Sequence, residues 1–171
     1  MDLLTFYRGE APDYLGRRLV DIWAWDDNQL EMVHNYIQVL FPLRDPSLFS
    51  MYAPLLNDAI VADFRGDERL RANLDASFVR MLRFYGFRLD TDSGKVSRAD
   101  NFASRAQEWV APFDHNYRRI TRILLSLSDL GLQQRAQAFF EALTELYRER
   151  PREIGEETFG FWRNAVMRSD S

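Results

Sequence analysis

The 171-residue chain contains no cysteine, which excludes a disulfide scaffold, a thiolate metal site and a cysteine nucleophile. Histidine is scarce. Neither of the two copies, His34 and His115, has a second metal ligand at a suitable local spacing, and there is no His-Glu-x-x-His helix. Asp114 adjoins His115, but sequence neighbours on a helix point roughly a quarter turn or more apart. No metal and no cofactor are expected. Glycine contributes 8 residues and forms neither a phosphate-cradling loop nor a Gly-x-Ser-x-Gly elbow. No catalytic residue is therefore assigned. Long apolar runs are also missing, so no segment is expected to span a bilayer. The opening Met1-Asp2-Leu3-Leu4-Thr5 lacks the basic and apolar segments of an export signal, and a cytoplasmic location is the expectation.

Lysine is almost absent. Lys95 stands alone among 22 basic residues, and the other 21 are arginine. Against 26 acidic residues they leave a net charge of −4, which argues against a sequence-independent nucleic-acid binder. Arginine codons are favoured by a GC-rich genome; alternatively, guanidinium groups hold carboxylates or phosphates through paired hydrogen bonds. The position of each arginine has to decide between these readings.

What is abundant is apolar and aromatic material, 46% and 14% of the residues, enough for one core in one domain. The opening through Pro12 reads as an extended aromatic arm. A helix from about Arg17 to Ala24 carries Leu19, Ile22 and Trp23 on one side. Asp26 followed by Gln29 marks a helix start, after which Leu30, Val33, Ile37 and Leu40 form an apolar stripe that ends at Pro42. The segment Leu43-Arg44-Asp45-Pro46-Ser47 reads as a loop.

Asn57 caps a short helix to about Gly66. Asp67 to Tyr85 forms a longer one, with Leu70, Leu74, Phe78, Leu82 and Tyr85 inward and Gly86 terminating it. A small hairpin fits Phe87 to Leu89 and Val96 around the turn residues Asp90 to Lys95. Ser97 is expected to cap a helix from Arg98 to Trp109, and Asp114 one that ends at Gly131 with the seam Ile120, Ile123, Leu127 and Leu130. Gln133 to Arg150, closed by Pro151, and Glu156 to Met167 complete the series. Phe159, Phe161, Trp162 and Val166 are expected inside. The fold class is all-α, a single-domain bundle of about seven or eight helices, with the whole of 1–171 as that domain.

Polar residues fall in rows beside these apolar seams. His34 and Gln38 follow Val33 and Ile37 by one position; His115, Arg119 and Arg122 step by four and three, with Asn116 next to His115; Arg98, Asn101 and Arg105 form a third row. One reading is structural, with the rows bonded to helix carbonyls or to Glu31, Asp100, Glu108 and Asp114. The other brings the three rows to one cleft, where arginine supplies charge and histidine and glutamine supply orientation for an anionic or carboxylate-bearing ligand.

Two long strings carry a family resemblance. His34 with Tyr36-Ile37-Gln38-Val39-Leu40-Phe41-Pro42-Leu43-Arg44-Asp45-Pro46 is the first; His115-Asn116-Tyr117-Arg118-Arg119-Ile120-Thr121-Arg122-Ile123-Leu124, followed by Ser126-Leu127 and Leu130-Gly131-Leu132, is the second. Between them lie Met81-Leu82-Arg83-Phe84-Tyr85-Gly86 and Arg98-Ala99-Asp100-Asn101-Phe102, with Phe6-Tyr7 before and Phe161-Trp162 after. In this order they resemble the conserved domain of the opioid growth factor receptor family, over about Phe6 to Trp162. The resemblance implies a receptor for the pentapeptide enkephalin, associated in vertebrates with the nucleus and its membrane. This sequence shows neither their long repetitive tail nor a basic targeting cluster, and its arginine bias suggests a bacterial member. Nuclear signalling is accordingly not expected of it.

The resulting expectation is a non-enzymatic binding domain. It would hold a short peptide or small anionic ligand against Arg98, Asn101, Arg105, His115, Asn116, Arg119 and Arg122, with His34 and Gln38 completing the wall. Two alternatives stay open: an enzyme with His34 or His115 as general base, and an interaction module whose apolar groove takes a partner helix.

Overall fold

Asp2 starts the first helix. Its carboxylate accepts a hydrogen bond from the Thr5 backbone N–H at 3.0 Å, the usual way of satisfying a free donor at a helix start. The segment expected as an extended arm is thus helical from Leu3–Tyr7 (α1), with Leu3, Phe6 and Tyr7 buried. The structure is a computed structural model that describes residues 1–46 and 51–168; Ser47 of the expected loop lies outside them. Among the described residues there are eleven helices and one two-stranded sheet. The class is mostly helical as expected, but short helices raise the number above seven or eight. The chain divides into two compact units, residues 1–80 and 81–171.

In the first unit, α2 (Leu19–Trp23) and α3 (Asp27–Met32) are single turns or little more. Asp26 caps α3 by accepting from the Gln29 N–H at 2.7 Å, as the sequence indicates. The helix does not continue to Leu40. Val33 is extended (φ −88°, ψ 128°), and the chain becomes helical again only in α4 (Ile37–Leu40). The apolar stripe survives this break because Leu30, Ile37 and Leu40 are all buried. α5 (Asp58–Gly66) is capped by Asn57, which accepts from the Ile60 N–H at 2.9 Å. α6 (Glu68–Tyr85) follows, and its expected inward residues are all buried.

Buried polar groups of the first unit bond to one another. The Asp13 carboxylate takes the Arg17 guanidinium through Nε at 2.7 Å and a second nitrogen at 2.6 Å, while Arg17 also donates to Asn35 Oδ1 at 2.8 Å. Trp23 Nε1 donates to Ser77 Oγ at 2.9 Å, and the Tyr7 hydroxyl donates to the Leu40 carbonyl. A buried carboxylate needs such partners, since removing it from water alone is costly.

The second unit begins with the end of α6 and the hairpin β1 (Phe87–Leu89) and β2 (Val96–Arg98), paired antiparallel with Phe87 opposite Arg98. Arg98 therefore lies on a strand, not in the helix expected from 98 to 109, and Ser97 is a strand residue instead of a cap. α7 (Phe102–Trp109) starts four residues later. Gly86 makes the turn possible: its φ is +88°, and a Cβ there would lie 2.9 Å from the Phe102 Cα.

α8 (Asn116–Asp129), α9 (Gln133–Glu149) and α11 (Glu156–Met167) pack together. Between the last two, Pro151 opens a short helix, α10 (Pro151–Ile154), as well as closing α9. The core of this unit is aromatic. Trp109 donates to the Tyr85 carbonyl at 3.1 Å, and Trp162 to the Tyr117 carbonyl at 3.2 Å, which lets both indoles be buried without an unsatisfied N–H. Phe161 was expected in this core but is 55% exposed. It precedes the buried Trp162 by one position on α11, about 100° round the helix, and so faces away from the core.

Candidate functional site

In the first unit, His34 lies in the non-helical link between α3 and α4 and is exposed. Gln38 is buried on α4. With its amide nitrogen turned toward the link, Gln38 donates to the Asn35 carbonyl at 3.1 Å and the His34 carbonyl at 3.2 Å. It satisfies two carbonyls released by the helix break. The expected helical row of His34 and Gln38 is therefore replaced by a side chain bonded to the other residue's main chain.

In the second unit the row Arg98, Asn101 and Arg105 divides between three settings. Arg98 leaves the end of β2 with its guanidinium 4.5 Å above the Phe102 ring and donates to Glu149 Oε1 at 2.8 Å. Asn101 is the N-cap residue of α7. Arg105 points back to the turn, where Nε donates to the Phe84 carbonyl at 2.7 Å and the guanidinium stacks 5.0 Å from the Phe84 ring. Arg98 lines a cleft of about 380 Å³. Phe102, Ala103, Ala106, Val110 and Leu146 give it an apolar floor, and Glu149 and Arg150 join Arg98 on the polar side. The alanines leave room between α7 and α9 that larger side chains would fill.

On α8 the row also divides. His115 is exposed at the helix start. Asn116 and Arg119 are buried next to each other, with Arg119 donating to Asn116 Oδ1 at 3.3 Å. Arg122 is partly buried, and desolvation lowers its guanidinium below its ordinary value. A second cleft of about 400 Å³ forms at the start of α8 and of α11. Its α8 side is made by His115, Tyr117, Arg118 and Thr121, its α11 side by Glu157, Thr158 and Phe161, with Phe113 and Asp114 at the entrance. Asp114 accepts from the Asn116 N–H at 2.8 Å. Tyr117 is pushed up to about 12, first by burial and then by the charges of Asp114 and Glu153.

Thus Arg98 and His115 line different clefts of the same unit. Arg150, Glu149, Phe113, Arg118, Glu157 and Phe161 stand beside them and are not among the residues the sequence marks as a site. For Phe113 a signal existed: Ala111-Pro112-Phe113-Asp114 is a turn, closed by Asp114 N–H to Ala111 O at 3.3 Å, with proline at its second position. Among the described residues no group of three or more His, Asp or Glu side chains is placed to hold a metal. No helix among them is long and apolar enough to cross a membrane.

The model of the opioid growth factor receptor (OGFr) conserved region matches residues 2–170. The chain belongs to the opioid growth factor receptor family. It is 42% identical over 139 residues to the human opioid growth factor receptor and 40% identical over 135 residues to the rat protein. The mouse opioid growth factor receptor-like protein 1 is 36% identical over 135 residues. In each case 76% of this chain is covered, but only 20%, 23% and 28% of the respective relative. The chain thus spans between a fifth and somewhat over a quarter of the length of these OGFr-family proteins. No solved structure matches it.

Proposed function

We propose that this chain is a non-enzymatic binding domain for a short peptide or small anionic ligand, and that the ligand is anchored in the cleft beside Arg98. The observation that carries the reading is a cationic edge over an apolar floor. Arg98 and Arg150 flank a hollow lined by Phe102, Val110 and Leu146, which suits a carboxylate attached to an apolar body. Arg98 is already paired with Glu149, but both side chains are exposed. Such a pair contributes at most about 1 kcal/mol, so a ligand carboxylate displaces Glu149 at little cost. The relatives are named as receptors for an opioid growth factor, which favours a peptide among carboxylate-bearing ligands. Of the other residues read as a site, Gln38, Arg105 and Asn116 would serve by holding the backbone and core, and His115 belongs to a separate cleft. The strong bias to arginine, 21 residues against one lysine, supports a bacterial source for the domain.

Calorimetric titration with N-acetyl-leucyl-leucine and its C-terminal amide tests this. The free acid should bind more tightly than the amide. Arg98→Ala should weaken the acid by about tenfold, the usual scale for one charge-assisted hydrogen bond, while Glu149→Gln should strengthen it by removing the competing carboxylate. Equal binding of acid and amide, or no effect of Glu149→Gln, would overturn the proposal.

A further inference from the structure

The second cleft, at the starts of α8 and α11, has a different character. Phe113 is 100% exposed and Phe161 is 55% exposed, so two phenyl rings stand at one hollow of about 400 Å³ without being used in the core. Phe113 is also the one non-glycine residue with a positive φ, 62°, among the described residues. A bulky side chain is rarely found in that conformation, and here burial gives it nothing in return. The cleft also carries charges of both signs. Arg118 on α8 and Glu157 on α11 line it, both exposed, and neither forms an ion pair or hydrogen bond with a described residue. They share the cleft without pairing with each other.

We propose that this cleft is a binding site for an apolar zwitterion, a free-ended dipeptide or comparably short peptide. Arg118 receives the terminal carboxylate and Glu157 the terminal ammonium, while Phe113 and Phe161 cover the apolar side chains. The Thr121 and Thr158 hydroxyls lie in the same lining and offer hydrogen bonds to the peptide unit. Opposite charges held apart on one concave surface recognise a molecule that carries both charges at a fixed separation. A simple anion meets Arg118 but is repelled by Glu157 and Asp114, and a simple cation that meets those carboxylates is repelled by Arg118. The volume falls within the range of small-ligand pockets, and the strained, exposed Phe113 fits the tendency of such backbone conformations to occur at ligand clamps. This site does not rest on the reading of the Arg98 cleft, with which it shares no lining residue.

The test is a titration of the Arg98→Ala chain, in which the carboxylate anchor proposed for the other cleft is removed, with the dipeptide phenylalanyl-leucine, its N-acetyl derivative and its C-terminal amide. Binding is followed by calorimetry and by the backbone amide shifts of α8 and α11. The free dipeptide should bind saturably, and each blocked form should bind about tenfold more weakly, the effect of losing one charge-assisted bond. Arg118→Met should bind the free acid and the amide alike; Glu157→Gln should bind the free amine and the acetylated form alike. Phe113→Gly puts at an exposed positive-φ position the residue that tolerates it, so the melting temperature should hold while affinity falls. Failure of the free dipeptide to bind would overturn the proposal. So would discrimination between free and blocked forms that persists in Arg118→Met and Glu157→Gln.

Discussion

Tyr117 shows how a single side chain couples the second unit to pH. Its hydroxyl sits near the Glu153 carbonyl, at 3.4 Å, and burial together with the Asp114 and Glu153 charges raises it from 10.0 to about 12. The fold therefore favours the protonated phenol. Its contribution to stability is complete below pH 10, where both folded and unfolded chains keep the proton, and is lost as pH rises toward 12. Tyr7, buried and bonded to the Leu40 carbonyl, is shifted in the same direction. The melting temperature should fall above pH 10, and Tyr117→Phe should make that fall shallower, as measured by thermal unfolding between pH 8 and 11.5. Arg119 illustrates a different point. It is only 5% exposed and bonded to Asn116, so truncating it would remove core packing and that hydrogen bond, whatever else it does.

At the scale of elements, the turn from α6 into β1 is the most sensitive joint. Gly86→Ala would force a side chain into the left-handed region at φ +88° and press its Cβ against the Phe102 backbone at 2.9 Å. The conformational cost is about 1–2 kcal/mol, and overpacking adds about 1–3 kcal/mol. The urea midpoint should drop accordingly with an unchanged slope. This joint was legible in the sequence because a glycine after a strongly periodic helix has few other meanings. The same holds for the Asn57 cap of α5 and for the apolar seams of α6 and α8, which agree with the structure. Besides α1 and α10, two stretches that bear on the candidate site were not legible. The stripe from Leu30 to Leu40 keeps its apolar spacing across a non-helical link, and only Gln38, bonding the carbonyls of His34 and Asn35, reveals why the break is tolerated. Arg98 follows a serine that resembles a cap, but backbone pairing of β2 with β1 takes precedence over that local preference. The candidate site suffered from both errors, since two of its three rows assumed continuous helix where the chain is extended. What periodicity does not contain is which exposed side chains flank a hollow; Arg118 and Glu157 emerge only once α8 and α11 are placed.

For the molecule as a whole, α6 is the element that matters most. It runs without interruption from Glu68 to Tyr85, giving its first thirteen residues to the unit that ends at Arg80 and its last five to the unit that begins at Met81. Melting one part of a continuous helix exposes the end of the other. We expect one cooperative thermal transition, with calorimetric and van't Hoff enthalpies equal, as for one domain; two resolved transitions would show that the units unfold separately. The hairpin offers a practical consequence. Its turn carries the chain's sole lysine side chain, Lys95, exposed and three residues before Arg98 on the same extended segment. At strand spacing that is about 10 Å. An amine-directed fluorophore reacts there and at the Met1 α-amine, and the Lys95 label would sit close enough to the Arg98 cleft to register its occupancy, an attachment point for optical assays that needs no engineered cysteine.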